Sequence, residues 1–100
     1  MTHRSTTIEC TPREAEIIRT RTEFLSIIKL GRGQEVRTKH PSASFADVRA
    51  EVEQLSADNR KGAMLYALGS ASGLAGIAVL YATYIPGSEW KFAEAADEAL

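Results

Sequence analysis

From Gly62 to Ser88 the chain carries no Asp, Glu, Lys, Arg or His, although charged residues make up 25% of the whole. Read as one helix, GAMLYALGSASGLAGIAVLYATYI is long enough to cross a bilayer. Read as two strands, GAMLYAL and GIAVLYATYI joined by SASGLA, it is the core of a small domain. The small residues weigh between these readings. Gly69, Ser70, Ser72, Gly73 and Gly76 crowd the middle, where a spanning helix is most apolar and where a loop is ordinarily built of such residues. Two strands are therefore preferred. The alternative is a single-pass membrane protein with a spanning helix at about 63–85. In that reading Arg60 and Lys61 are positive anchors, Tyr66, Tyr81, Tyr84 and Trp90 are interfacial rings, and Gly69-x-x-x-Gly73 is a close-packing face.

A chain of 100 residues is one ordinary domain, able to bury roughly two-thirds of its unfolded surface without a staple. A net charge of −1 argues against a dedicated polyanion binder. The charge is unevenly spread: residues 1–40 hold eight Lys/Arg against five Asp/Glu, a net of +3, and residues 41–100 hold four against eight, a net of −4. Cys10 is the single cysteine, so neither an internal disulfide nor a thiolate cluster can form within one chain. The opening MTHRSTTIECTPRE lacks the apolar core of a secretory signal, and its acidic residues do not suit a transit peptide. Cytoplasmic localisation is the expectation.

Residues 1–10 are polar and unpatterned and read as a disordered tail, leaving 11–100 as a single domain. Thr11-Pro12-Arg13-Glu14 is a capping box with proline at the first helical position. Ile17, Ile18, Arg21, Phe24, Leu25 and Ile28 follow at helical spacing, so a helix is expected over Pro12–Leu30, capped by Gly31. The competing reading is a strand over Phe24–Leu30 turning through Gly31-Arg32-Gly33 into Val36. Gln34–Lys39 alternates and predicts a short strand. Ser44 is the expected N-cap of a second helix whose inner face is Phe45, Val48, Val52 and Leu55. Met64, Tyr66 and Leu68 begin the next strand, Ile77–Ile85 adds another by a hairpin, and Glu89–Leu100 reads as a short acidic helix.

Motifs of chemistry are sparse. Gly69, Gly73 and Gly76 match neither the dinucleotide fingerprint nor a phosphate loop. Gly31-Arg32-Gly33 could cradle an anion but is explained by a turn. His3, Cys10 and His40 have no metal-ligand spacing. His40 lies near Ser42 and Ser44 in sequence, yet a working Ser-His pair needs a third orienting group that local adjacency does not supply, and His40 before a proline is expected to face water. Glu51 and Glu53 point to different sides of a helix, and Glu94, Asp97 and Glu98 form a solvated cluster.

These readings combine into an α+β fold with an N-terminal helix, a βαβ unit extended by a hairpin strand into a small three-stranded sheet, and a short C-terminal helix. No enzyme activity, cofactor or metal is expected. The expected function is a non-catalytic protein-binding or regulatory module that binds a protein partner or itself, with dimerisation through an exposed strand edge. The candidate surface is Lys29, Arg32, Arg37, Lys39 and His40. A weak nucleic-acid-binding regulator using residues 29–40 is the further alternative, disfavoured because no aromatic side chain is interleaved to stack bases.

Overall fold

The computed structural model describes residues 8–69, 77–87 and 89–96, and its first helix starts where the capping tetrad dictates. The Thr11 hydroxyl accepts from the Glu14 N–H at 3.1 Å while the Glu14 carboxylate accepts from the Thr11 N–H at 2.9 Å. That helix, α1, covers only Pro12–Arg19 and buries Ile17 and Ile18. It does not run to Leu30. The Thr20 hydroxyl closes the last turn by donating to the Glu16 carbonyl at 2.8 Å. Strand β1 (Glu23–Gly31) follows. The apparent helical stripe beyond Arg21 is the coincidence of two strand faces, Phe24 and Ile28 on one and Leu25 and Ile27 on the other, in a β-branched run that favours strand.

Gly31, Arg32 and Gly33 form a hairpin turn, the competing expectation, with φ of 98°, 56° and 78°. Positive φ at both loop residues matches the twist of a two-residue hairpin, and arginine in that region is strained where glycine is not. Strand β2 (Gln34–His40) returns antiparallel along β1 and pairs Phe24 with His40. Helix α2 (Phe45–Asn59) buries Phe45, Val48, Val52 and Ser56. Ser44 occupies its N-cap position, but its side chain makes no capping bond; instead the Ser42 hydroxyl accepts from the Ser44 N–H at 3.1 Å and donates to Asp47 at 3.0 Å.

Strands β3 (Ala63–Gly69), β4 (Ile77–Tyr84) and β5 (Trp90–Phe92) complete a five-stranded antiparallel sheet in the order β2-β1-β3-β4-β5. The expected three-stranded sheet and C-terminal helix are thus overturned. In place of a simple βαβ unit, β2 and β3 run the same way on either side of β1, which lies between them and pairs with both. Trp90-Lys91-Phe92 alternates with two aromatic residues inward and one cation outward, and pairing with Tyr84 and Ala82 makes it an edge strand. Ile8 then pairs alongside, accepting from Glu94 and donating to Phe92, both at 2.9 Å. The expected Glu89–Leu100 helix reaches residues 97–100, which lie outside the described part, as do 70–76 between β3 and β4. Within the described residues no helix is long and apolar enough to cross a membrane.

Both helices lie on one face of the sheet. Ile17, Ile18, Phe45, Val48 and Val52 pack there against Phe24, Ile28, Leu65, Ala67, Val79 and Tyr81 in one buried cluster. The register of β3 on β4 shifts between Leu65 and Tyr66, a bulge that turns both Tyr81 and Ala82 inward. Tyr81 meets Phe24 edge-on at 4.8 Å, and Phe45 sits among Tyr81, Trp90 and Phe92 at 5.7, 5.0 and 5.3 Å. α1 packs over the end of β3, where a Cβ at Gly69 would make an ordinary 3.6 Å contact with the Ile17 side chain.

Candidate functional site

Period-two alternation leaves a second, helix-free face. On it the register sets Leu25 beside Tyr66, Tyr66 beside Leu80, Ile27 beside Met64 and Glu23 beside Leu68. None of Leu25, Ile27, Met64, Tyr66, Leu68 and Leu80 belongs to the buried cluster or packs on it. Leu25 is buried among its strand neighbours and the other five are half-buried. Tyr66 is the one aromatic residue of seven on this face, and its hydroxyl donates to the Met64 sulfur at 3.7 Å. A central aromatic ringed by aliphatic side chains, with one polar atom at its tip, is the composition of a recognition patch.

Charged side chains rim this patch. Arg37 stands beside Ile27 and Lys39 beside Leu25 on the edge strand β2, and Lys29 pairs with Glu35 at the hairpin end. Arg37 donates to Glu35 at 2.8 Å, and the Lys39 ammonium is 3.8 Å from Glu23. Of the five candidate residues read from the sequence, the fold therefore brings Lys29, Arg37 and Lys39 onto one face. Arg32 projects from the turn at the end of that face. His40 does not join them, and it does not face water: one residue on from Lys39 in an alternating strand, it turns to the helix side and is 1% exposed. The apolar half of the site is hidden in the sequence because the helical reading claims Leu25 and Ile27 and the uncharged stretch reads as core for Met64, Tyr66 and Leu80.

His40 lies at the centre of a second arrangement. Its Nε2 is 2.9 Å from the Ser26 hydroxyl and its Nδ1 is 2.9 Å from the Glu51 carboxylate. A carboxylate only accepts, so in the neutral ring Nδ1–H donates to Glu51 and Nε2 accepts from Ser26. Serine, histidine and carboxylate in this order are the groups of nucleophilic catalysis. Access runs the wrong way for it, however: Ser26 is 1% exposed, whereas the Glu51 side chain is 58% exposed. A substrate would meet the acid and not the nucleophile. What the three residues do is tie β1, β2 and α2 together with every buried polar atom partnered.

A third contact joins helix to edge strand. The Trp90 indole N–H donates to Glu53 at 2.7 Å, and Arg49 donates to the same oxygen at 3.0 Å. The Trp90 bond first, then Arg49, holds the Glu53 carboxyl below the usual glutamate range, against the opposing effect of its partial burial. Among the described residues no group of three or more His, Cys, Asp or Glu is placed to hold a metal ion. Comparison with protein-family models, with curated proteins and with solved structures finds no match to this chain.

Proposed function

We propose that the protein is a non-catalytic binding module and that its working surface is the helix-free face of the sheet. One observation carries this reading: a contiguous apolar patch of Leu25, Ile27, Met64, Tyr66, Leu68 and Leu80 lies outside the core cluster, with no described element covering it. Antiparallel sheets with one solvated face ordinarily place polar residues there. Here three strands place aliphatic and aromatic side chains instead, and the cations stand only at the margin. An apolar centre with a charged rim is the anatomy of an interface. Pairing of Arg37 with Glu35 and of Lys39 with Glu23 leaves the rim suited to orienting a protein partner more than to gathering phosphates.

Side-chain footprinting with a carbene or hydroxyl-radical reagent tests this. Met64, Tyr66 and Leu80 are expected to label several-fold less in cells producing the full chain than in dilute purified protein. Equal labelling in the two settings would overturn the reading.

A further inference from the structure

We infer that the occupant of this face is a second copy of the same chain, packed sheet on sheet about a two-fold axis that crosses the strands. The inference rests on the reading of the face as a binding surface and adds the identity and geometry of the partner.

Size permits it. Four strands of seven or more residues, at ~4.8 Å between strands and ~3.4 Å per residue, give a flat footprint of roughly 450 Å² per copy, and side-chain relief enlarges it. Two copies together then reach about 1,000 Å², the lower end of specific association.

Charge selects the axis. Along β1 this face reads Glu23, Leu25, Ile27, Lys29, acid at one end and base at the other with two aliphatic residues between. A two-fold axis across the strands, midway between Leu25 and Ile27, reverses that row. It sets Glu23 of each copy opposite Lys29 of the other and Leu25 opposite Ile27. An isologous interface needs this kind of self-complementarity. The other choice, an axis along the strands, sets the cations of β2 against β4 and β5, where Lys91 beside Thr83 offers no carboxylate. In the favoured arrangement Arg37 and Lys39 approach each other across the axis, and each already has a glutamate of its own chain beside it.

The test is sedimentation equilibrium of the full chain over a wide concentration range, with Glu23→Lys, Lys29→Glu and the exchanged pair carrying both. Wild type is expected to pass from 10.9 kDa to twice that mass as concentration rises. Each single reversal sets like charges opposite one another at two symmetric places and should weaken association at least roughly tenfold; the exchanged pair should recover most of that loss. Tyr66→Lys, which leaves the core untouched and keeps its ammonium in water, should abolish the dimer with a near-native melting temperature. Three results would overturn the inference. A chain that stays monomeric while footprinting shows the face protected in cells has a different partner, and the binding reading survives. A dimer indifferent to Tyr66→Lys uses another surface. A dimer that the exchanged pair does not rescue is built on another axis.

Discussion

Phe24, Ile28 and Leu65 on the helix side and Ile27, Met64 and Leu68 on the other side belong to the same two strands, β1 and β3. The first three have no exposure and sit in a cluster with α1 and α2; the second three are half-buried and lie outside that cluster. Residue type therefore does not distinguish the two faces; helix cover does. Both helices attach through Ile17, Ile18, Phe45, Val48 and Val52, all directed to one side, so among the described residues no helix covers the apolar residues of the opposite side.

Lysine substitution breaks this comparison most directly. Leu65→Lys places an unpaired charge among fully buried side chains, more damaging than the ~2–5 kcal/mol that truncation of a core leucine removes, against a total stability of about 5–15 kcal/mol for a domain. It should abolish the cooperative melt in circular dichroism. Leu80→Lys sits across the sheet, where the aliphatic stem can lie on its neighbours and the ammonium reach water, and should leave the melt within about 1 kcal/mol of wild type. If Leu80→Lys also unfolds the chain, the second face is core and the functional proposal falls.

The polar tie within the covered face comes next. His40→Ala leaves a cavity and strips Ser26 of its buried partner, a loss of roughly 2–4 kcal/mol. Ser26→Ala removes one buried bond, roughly 1–3 kcal/mol. Glu51→Gln changes an exposed partner and should stay under about 1 kcal/mol. Urea denaturation that ranked Glu51 first would show the exposed end to be the important one and would reopen the case for chemistry at this triad.

How far these faces were legible follows from which forces set them. The Thr11–Glu14 box could be read because both partners lie within one helical turn. The run from Phe24 to Ile28 could not be, because apolar residues at positions 24, 25 and 28 satisfy a helix stripe and two strand faces equally well. The glycines around Arg32 held the missing information. Once they are taken as a hairpin, the register opposes Phe24 to His40, makes Ser26 a diagonal neighbour of His40, and sets Leu25 and Ile27 beside Lys39 and Arg37. Burial of His40 and the composition of the open face then follow together. Trp90-Lys91-Phe92 was lost to the helix-forming alanines and acids beyond it; pairing with Tyr84 and Ala82, distant from any local preference, decides it.

Capping gives a smaller contrast between the two helices on the covered face. Thr11→Ala removes the hydroxyl half of the reciprocal cap, while the backbone N–H of residue 11 can still donate to Glu14, and should cost about 1 kcal/mol. Ser44→Ala should be nearly silent, because the Ser44 side chain caps nothing and the nearby bonds belong to Ser42. Thermal melts of the two variants check this, and equal losses would mean that Ser44 caps α2 in solution.

The smallest expected effect lies at the border of the two faces, where Glu53 of α2 holds the indole of Trp90 on the edge strand. Its carboxyl is held below the usual range by the Trp90 and Arg49 bonds, so the folded state binds the proton more weakly than the unfolded state does. The sign follows from linkage: the contribution is complete above the ordinary glutamate range and is lost as pH falls below that range through the folded value. The exposure of Glu53 makes the contribution slight. Trp90 is the single tryptophan, so its emission reports on this contact. Glu53→Gln keeps an acceptor for the indole N–H but cannot titrate, and its denaturation midpoint should fall less between neutral and acid pH than that of wild type. Equal acid sensitivity in the two proteins would show that Glu53 contributes nothing to the hold of α2 on β5, leaving the packing of Phe45 against Trp90 and Phe92 to keep the edge strand in place.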